Sequence, residues 1–182
     1  ADFTKIDSVA GFASSRFRWV TCQNAVRNQP YDLIFKSEDN NRELRLVDID
    51  NLKIKVVGPS PVLLNAVPEG KLIKLSWENY GTDVISGFSI YRREGASTFM
   101  PDSCTAGIPA SAGFVKVGFV SGSSSVTFTD TDSGQGLSFG KEYTYRIVAV
   151  YPNGTESKAS NEITSTLISG VPVITNVSIQ IT

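Results

Sequence analysis

Hydrophobic and polar residues alternate along this chain in short stretches that recur about every ten residues. Glycine, proline, serine and aspartate separate the stretches, and these residues are frequent in turns. No window of about 11 to 18 residues holds the i, i+3, i+4, i+7 apolar pattern of an amphipathic helix. Alternation with a period of two places every second side chain on one face of a strand. The pattern therefore predicts an all-β fold, and the spacing of the strands is typical of a β-sandwich.

Three predicted strands have the clearest alternation and supply the expected core. They are Lys71 to Trp77, Gly87 to Arg93 and Glu142 to Val150. A leucine six residues before the first core tyrosine of the last strand predicts a tyrosine corner, in which the tyrosine hydroxyl bonds to the backbone of the preceding loop. Each apolar side chain contributes roughly 1.5 to 3 kcal/mol when it is fully buried. The predicted core residues are Trp77, Phe88, Ile90, Leu137, Tyr143, Tyr145 and Ile147.

A proline-rich segment, Gly58-Pro59-Ser60-Pro61, marks the expected domain boundary. Proline fixes φ and lacks an N–H donor, so a stiff connector is expected there rather than a sheet ladder. Phe17 and Trp19 alternate as in a core strand, which we favour over a sugar-binding platform. Two further segments predict the last two strands of a sandwich, with Tyr31, Leu33 and Phe35 in one and Leu52, Ile54 and Val56 in the other. Because residues 1–58 alone would bury only a thin core, we predict that they are the C-terminal part of a β-domain.

The charges are nearly balanced, with 17 basic and 18 acidic residues and a net charge of −1. Such a chain lacks the basic surface that attracts nucleic acid or acidic lipid, so neither partner is expected. Histidine is absent, which removes the commonest general base and the commonest transition-metal ligand. Cys22 and Cys104 are too few for a cysteine-built zinc site or a disulfide framework. Most enzyme classes are therefore disfavoured.

Neither a secretion signal nor a membrane segment is predicted from the residues given. The sequence starts Ala-Asp-Phe-Thr-Lys-Ile-Asp, without a basic region followed by an apolar stretch, although a mature or excised fragment would look the same. The purely apolar runs are short, as in Val62 to Leu64, whereas a helix needs about 20 apolar residues to cross a bilayer. We expect a soluble segment without membrane insertion.

Residues 59–168 resemble a fibronectin type III module. The features that carry the resemblance follow in order: Trp77, the Phe88-Ser-Ile-Tyr-Arg run, the Ser125-Val-Thr-Phe-Thr-Asp130 strand, the leucine-to-tyrosine corner and the Gly154-Thr-Glu-Ser-Lys-Ala-Ser strand. The resemblance implies a sandwich of the fibronectin type III or Ig-like kind.

A second resemblance covers nearly the whole chain. Its segments are Arg18-Trp-Val-Thr-Cys22, Val26-Arg-Asn-Gln-Pro-Tyr31, Phe35-Lys-Ser-Glu-Asp39, Val56-Val-Gly-Pro-Ser-Pro61, Cys104-Thr-Ala-Gly-Ile-Pro109 and Val171-Pro-Val-Ile-Thr-Asn176. They are similar to a block repeated in gliding motility-associated surface proteins that carry a type B sorting domain and are exported by the type IX secretion system. The resemblance implies a segment of a long multidomain adhesin at the bacterial cell surface. Residues 1–58 would close an Ig-like or cadherin-like domain, residues 59–168 would form the fibronectin type III domain, and residues 169–182 would link to the next domain and begin it.

The cysteines of this chain depart from that block. Related blocks often carry a cysteine near Tyr80, as partner for the one at Cys104, and a second pair at the positions of Thr144 and Thr164. All three cysteines are missing from this chain. Because two cysteines in separate domains can bridge only when their Cα atoms lie within about 7 Å, we predict no disulfide between Cys22 and Cys104.

Two acidic segments are candidates for chemistry. Asp130-Thr-Asp-Ser-Gly134 contains both a string suited to calcium and an Asp-Ser-Gly triplet like that of aspartic proteases. It offers fewer oxygens than the roughly six to eight that calcium takes, and the chain has no second protease triplet. Glu38-Asp-Asn-Asn41 resembles the acidic turn of cadherin-like repeats and is also short of ligands. We interpret both segments as turns, expect no cofactor, and keep calcium as the open alternative.

A separate short pattern, Asp7-Ser-Val9, matches an acceptor site for bacterial O-glycosylation, but so short a pattern often arises by chance.

Residues 94–113 form a long connection between two predicted strands. Its apolar side chains, which need cover, are Phe99, Met100, Pro101, Cys104, Ile108 and Pro109. The connection is expected to fold back on the sandwich or to brace a neighbouring domain, and presenting a ligand surface is the alternative. Tyr91 and Tyr151 are expected to be partly exposed.

Together these features predict a noncatalytic segment of a large secreted cell-surface protein, acting as a stiff spacer and interaction module in surface adhesion or gliding motility. The expected partners are neighbouring domains of the same polypeptide, other cell-surface or secretion-system proteins and extracellular polysaccharide. The alternative is an accessory fibronectin type III module of a secreted polysaccharide hydrolase, which flanking sequence would distinguish. An independent enzyme is disfavoured because histidine and a second acidic motif are absent.

Overall fold

The computed structural model describes residues 1–9, 12–39, 41–102 and 105–169, with residues 5–9 and 12–13 described as backbone only. By its internal contacts the chain divides into two units, Ala1–Gly58 and Pro59–Thr182. Within the described ranges the regular structure is antiparallel β-strand, apart from two short 3₁₀ helices at Gln23–Ala25 and Ala110–Ala112. The all-β prediction is confirmed.

The first unit contains two β-hairpins. Strand β1 (Asp2–Val9) pairs with β2 (Phe12–Arg18), and β3 (Tyr31–Glu38) pairs with β4 (Val47–Ile54). In β3, Tyr31, Leu33 and Phe35 are half-buried and the residues between them are exposed. This pattern confirms the predicted alternation of that strand.

The prediction for β4 is only partly correct. The strand begins at Val47 and ends at Ile54, so Val56 lies beyond it. The register pairs Leu33 with Leu52, which puts Leu52 on the predicted face, yet the residue is 52% exposed. In the described residues, β3 and β4 form a two-stranded sheet of their own rather than the end of a larger sheet. Alternation predicts on which face of the sheet a side chain lies, but whether that side chain is buried depends on a second layer packing against the face.

Only the end of the first hairpin was predicted, as the strand of Phe17 and Trp19, because serine and charged residues interrupt the apolar alternation earlier in β2. Phe17 lies in β2 and is half-buried, as a core strand would have it. The strand ends before Trp19, which corrects the strand assignment of that residue. The half-buried Trp19 ring instead contacts the Tyr31 ring edge-on, with 4.7 Å between the centroids.

The second unit is a two-layer β-sandwich. Its strands are β5 (Leu63–Glu69), β6 (Leu72–Trp77), β7 (Gly87–Glu94), β8 (Val115–Ser121), β9 (Thr127–Asp130), β10 (Glu142–Val150) and β11 (Ile163–Thr166). One sheet has the order β5-β6-β9 and the other has the order β11-β10-β7-β8. The chain therefore passes from one sheet to the other between β6 and β7, between β8 and β9, and between β9 and β10. This arrangement confirms the predicted sandwich.

The core of the second unit lies where the two sheets face each other. The side chains predicted for it are all buried: Trp77, Phe88, Ile90, Leu137, Tyr143, Tyr145 and Ile147. The Trp77 and Phe88 rings lie 5.3 Å apart at a tilted angle, and the Tyr80 ring meets Phe88 edge-on at 5.9 Å. Such aromatic pairs stabilise a core beyond the area that they bury.

Strand β10 is buried on both faces, which alternation alone does not predict. Besides the core side chains, Thr144, Arg146 and Val148 on the opposite face are also buried. The segment that follows β10 and the long connection after β7 both bond to this region, as described below. The strand therefore forms the centre of the unit.

The predicted tyrosine corner is confirmed. The backbone N–H of Ser138 donates a hydrogen bond to the Tyr143 hydroxyl over 3.1 Å. The next residue back, Leu137, is buried, and its N–H donates to the carbonyl of Lys71 over 2.7 Å. These bonds fix the loop that carries the chain from β9 to β10.

Candidate functional site

The Asp130 to Gly134 segment is a turn that is bonded internally. Asp132 and Ser133 have φ of 50° and 57°, and Gly134 has 89°, which is turn geometry. Asp130 ends β9 and is 2% exposed. Its carboxylate accepts the Asp132 N–H over 3.0 Å. The interpretation of this segment as a turn is confirmed.

An arginine from the other sheet bonds to both carboxylates of that turn. Nη1 of Arg92 lies 3.1 and 2.9 Å from the two Asp130 oxygens, and its Nη2 lies 2.7 Å from Oδ1 of Asp132. The Tyr145 hydroxyl donates a further bond to Asp130 over 2.8 Å. Because arginine and tyrosine protons already occupy these oxygens, the carboxylates are poorly placed to ligate calcium.

The electrostatics of this network favour a structural role. Burial acts to lower the pKa of Arg92, but its hydrogen bonds to Asp132 and Asp130 outweigh burial and raise it. Burial, reinforced by the Asp130 charge, raises the pKa of Tyr145. Arg92 thus keeps its charge and Tyr145 keeps its proton, so the network ties the two sheets together.

In the second acidic segment, Glu38 ends β3, Asp39 and Asn41 are exposed, and Asn40 lies outside the described residues. Glu38 accepts hydrogen bonds from Lys36 over 3.1 Å and from Arg45 over 2.8 Å, and these bonds lower its pKa. Oδ1 of Asp39 accepts the backbone N–H groups of Asn41 and Leu46. Among the residues that the structure describes, no group of three or more His, Cys, Asp or Glu residues is arranged to hold a metal ion.

The long connection after β7 is held against the sandwich by Arg146. This side chain is 5% exposed, and its Nη2 donates to the Phe99 carbonyl over 2.9 Å. Its Nη1 donates to the carbonyl of Ser160 over 2.5 Å, and Glu162 accepts from both Nε and Nη2. The guanidinium also lies 5.4 Å from the centroid of the Phe99 ring. One buried arginine therefore joins the connection, β10 and the segment before β11.

A second anchor holds the far part of the same connection. Gly107 forms a parallel bridge with Lys158, and its N–H donates to Ser157 over 2.8 Å. Arg93 donates to the Ala112 carbonyl over 3.0 Å. These contacts confirm that the connection folds back on the sandwich.

The tip of the connection is open to solvent. Met100 is 83% exposed, whereas Phe99, Pro101, Ile108 and Pro109 are half-buried. An open groove of about 360 Å³ lies beside Met100 and Pro101, with Lys158 and Glu162 also lining it. Cys104 lies outside the described residues. The alternative of a ligand surface stays a hypothesis for this groove.

The two tyrosines that were expected at the surface differ. Tyr91 is half-buried, as predicted, and its hydroxyl donates to Glu156 over 2.8 Å. The expectation for Tyr151 is wrong, because this residue is only 2% exposed. The chain turns back after β10, with the Tyr151 N–H donating to Thr155, and the Tyr80 hydroxyl lies 3.4 Å from that of Tyr151.

Both ends of the sandwich are fastened by hydrogen bonds. At the N-terminal end, the Tyr80 hydroxyl donates to the Pro59 carbonyl over 2.6 Å. At the C-terminal end, the buried Leu167 accepts from the Gly140 N–H over 2.7 Å and donates to the Lys141 carbonyl over 3.1 Å. The chain is thereby fixed at Pro59, before β5, and at Leu167, after β11.

The remaining predicted features give a mixed outcome. Cys22 is exposed and forms no disulfide. Because Cys104 lies outside the described residues, the absence of a disulfide between Cys22 and Cys104 stays a prediction. Thr144 and Thr164, at the positions of the missing cysteine pair, have their hydroxyl oxygens 3.2 Å apart. The side chains of Asp7 to Val9, which carry the glycosylation pattern, and residues 171–176 also lie outside the described part of the chain.

Sequence reasoning missed the arginines at 92 and 146. Both lie in predicted strands. Arg146 lies between the core residues Tyr145 and Ile147 and so on the opposite face, whereas Arg92 follows Phe88 and Ile90 on their face at the end of the alternation. A charged residue at such a position gives no signal of burial by itself. The contacts that bury these residues come from segments distant in sequence.

No family model and no curated protein matches this chain. Solved structures that are similar to it include the fibronectin type III domain of human fibronectin type III domain containing protein 3, at 16% identity over 65% of this chain and 95% of that one, with a TM-score of 0.40. The twitchin kinase region from C. elegans matches at 18% identity over 63% of this chain, with a TM-score of 0.43. A beta-1,2-glucanase from Parabacteroides distasonis matches at 20% identity over 70% of this chain, with a TM-score of 0.44. This chain spans 18% of the twitchin region and 16% of the glucanase.

The strand order of the second unit, rather than these likenesses, defines its fold. A sheet of three strands faces a sheet of four, and a tyrosine corner precedes β10. The second unit is a fibronectin type III-like sandwich. The described residues include no helix that is long and apolar enough to cross a membrane.

Proposed function

We propose that this chain is a noncatalytic structural segment of a large extracellular protein at a bacterial cell surface, in which the fibronectin type III-like unit acts as a stiff spacer. The observation that carries the proposal is the bonding at both ends of the sandwich. Tyr80 holds Pro59 at one end, and Lys141 and Gly140 hold Leu167 at the other. A unit fixed at both ends transmits force and orientation between the parts of the polypeptide that it joins.

The proline linker supports the same role. Pro59 and Pro61 restrict φ on either side of Ser60, and Pro61 is buried in the second unit. Together with the Tyr80 bond, this leaves the beginning of the unit few conformations.

The proposal that the chain is not an enzyme rests on its acidic residues. The only Asp-Ser-Gly triplet of the sequence has its aspartate bonded to Arg92, and the aspartate two residues before it is bonded to Arg92 and Tyr145. Asp130 is bonded on both oxygens and Asp132 on one, which is the bonding of a structural turn. Hydrolytic activity of the purified chain that is lost in Asp132→Asn would contradict this part of the proposal.

The proposed partners are neighbouring domains of the same polypeptide, other cell-surface or secretion-system proteins and extracellular polysaccharide. An accessory module of a secreted polysaccharide hydrolase is the alternative, since such a module would need the same stiffness. The flanking sequence separates the two, because tandem blocks with a C-terminal sorting domain fit the adhesin and a catalytic domain fits the hydrolase. Labelling of intact cells with an antibody against the chain tests the surface location directly.

Stiffness of the linker is tested by NMR relaxation of the full chain. If the linker is stiff, the described strands of both units report one common rotational correlation time. A Pro59→Gly, Pro61→Gly variant is the matched control and should separate the two correlation times. Two independent correlation times in the unchanged chain would contradict the spacer role.

A further inference from the structure

An asparagine side chain joins the first strand of the sandwich to the opposite sheet. Leu63, the first residue of β5, is 2% exposed. Its N–H donates to Oδ1 of Asn161 over 2.8 Å, and its carbonyl accepts from Nδ2 of Asn161 over 2.8 Å. A single side-chain amide thus provides Leu63 with the donor and the acceptor that a neighbouring strand would otherwise give.

Asn161 is itself held on the four-stranded sheet by the residue before it. The Ser160 N–H donates to the Ile147 carbonyl over 2.9 Å, and the Ser160 hydroxyl accepts the Ile147 N–H over 2.9 Å. The same hydroxyl donates to the Asn161 carbonyl over 2.7 Å. Because Ile147 lies in β10, the pair of bonds from Asn161 connects β5 to the central strand of the other sheet.

The position of this connection matters for tension along the unit. Strand β11 begins two residues after Asn161 and lies beside β5. Since β5 leads away from Leu63 and β11 leads away from Asn161, the two strands run in the same direction. Strand β5 therefore begins at the Asn161 end of the sandwich, and β11 ends at the opposite end, where Leu167 is bonded. Tension applied through both ends pulls Leu63 away from Asn161.

We propose that Asn161 is a mechanical clamp, whose two hydrogen bonds to Leu63 must break together before β5 can be drawn out of the sandwich. This proposal rests on the proposed function as a spacer under tension. Breaking the clamp leaves a buried N–H and a buried carbonyl unpaired, so its resistance is greater than that of a bond between exposed groups.

Single-molecule force spectroscopy on the full chain, tethered at its two termini, tests the clamp. At constant force, Asn161→Ala should unfold the second unit about tenfold faster than the unchanged chain. Asn65→Ala is the matched control, because Asn65 is also on β5 but bonds to Ser76 within the same sheet, over 3.1 Å and in solvent. That control should change the rate by about twofold or less. Asn161→Gln keeps both the donor and the acceptor on a side chain that is one methylene longer, so it should fall between the two and remains informative if the alanine variant does not fold.

A second measurement distinguishes a clamp from an ordinary stabilising contact. In denaturant without force, unfolding can begin elsewhere in the unit, so Asn161→Ala should accelerate it less than it does under force. Equal acceleration in both experiments, or an unchanged rate under force, would overturn the clamp while leaving the spacer role intact. If the unchanged second unit unfolded at forces too low to measure, the spacer role itself would be contradicted.

Discussion

The two units of this chain both contain strands with alternating apolar residues, but these residues are buried in the second unit and largely exposed in the first. In the sandwich, Ile90 is fully buried between two sheets. In the hairpin of β3 and β4, Leu52 lies on the face that alternation assigns to a core, yet 52% of it is exposed. Alternation brings apolar side chains to one face in both units, but burial requires a second layer, and among the described residues only the sandwich has one.

This difference bears on what the first unit is. Two-stranded hairpins are marginally stable alone, and several apolar residues of this unit are largely exposed, including Leu44, Leu46 and Ile49. The proposal that residues 1–58 belong to a larger β-domain accounts for these residues, because further strands would cover them. That domain assignment remains a prediction.

Charged pairs offer the sharpest way to test the difference between the units. Arg92→Ala would leave the buried Asp130 carboxylate without its cation, so we expect the second unit to lose about 3 to 5 kcal/mol of unfolding free energy. The matched control is Arg45→Ala, which removes the exposed partner of Glu38 in the first unit and should not change stability measurably. Urea unfolding followed by Trp77 fluorescence, in a Trp19→Phe background, measures Arg92→Ala, and the NMR signals of β3 and β4 in urea measure Arg45→Ala in the first unit. If Arg92→Ala lowered the unfolding free energy by less than about 1 kcal/mol, the ion pair of Arg92 with Asp130 would contribute no more than an exposed pair does, which would contradict this prediction.

A matched pair of isoleucines tests the packing itself. Ile90→Ala should destabilise the sandwich by about 2 to 5 kcal/mol, because it removes a fully buried side chain and leaves a cavity. Ile49→Ala should change stability by about 0.5 kcal/mol or less, since that side chain is mostly in solvent. Thermal unfolding of the two variants beside the unchanged chain gives the comparison. Similar losses in both would mean that the first unit has a core of its own.

Alkaline pH should weaken the sandwich through its buried tyrosines. Burial raises the pKa of Tyr145, of Tyr80 and of Tyr91, with help from Asp130, Tyr151 and Glu156 respectively. The folded state therefore keeps these protons to a higher pH than the unfolded chain, whose tyrosines titrate near pH 10. Their contribution to stability is complete below about pH 10 and is lost as the pH rises through the native pKa, at about 1.4 kcal/mol per pH unit for a fully buried tyrosine. Urea midpoints between pH 8 and pH 11.5, for the unchanged chain and for Tyr91→Phe, measure this, and a flat profile would contradict it.

The tyrosine corner is expected to give the smallest effect. Tyr143→Phe removes the acceptor of the Ser138 N–H and should destabilise the sandwich by about 1 kcal/mol. Ser138 is exposed, so water can replace the lost partner and limit the cost. Urea unfolding with the same fluorescence probe measures it. A loss above about 3 kcal/mol would show that the corner directs the packing of β10 as well as capping a loop.

The sequence was sufficient for the parts of the fold that depend on local pattern. Alternation and turn residues predict the strands around Trp77, Phe88 and Tyr145, and the six-residue spacing from Leu137 to Tyr143 predicts the corner. These features depend on backbone periodicity and on neighbours in the chain, which a single sequence contains.

Contacts between distant segments could not be predicted in the same way. Arg146 is buried because the connection around Phe99 folds over it, and Tyr151 is buried because the chain turns back at Thr155. Asn161 lies in a loop, and no local pattern marks it as the partner of Leu63, 98 residues earlier. The exposure of Leu52 has the same origin, since its burial depends on a layer outside the pattern of its own strand.

Native-state hydrogen exchange on the full chain tests the difference between the units most directly. We expect the amides of β7 and β10, in the centre of the sandwich, to exchange only through unfolding of the whole second unit. The amides of β3 and β4 should exchange through local opening, at least about a hundredfold faster, because little apolar surface covers their hairpin. Equal protection of the two pairs of strands would contradict the conclusion that only the sandwich carries a buried core.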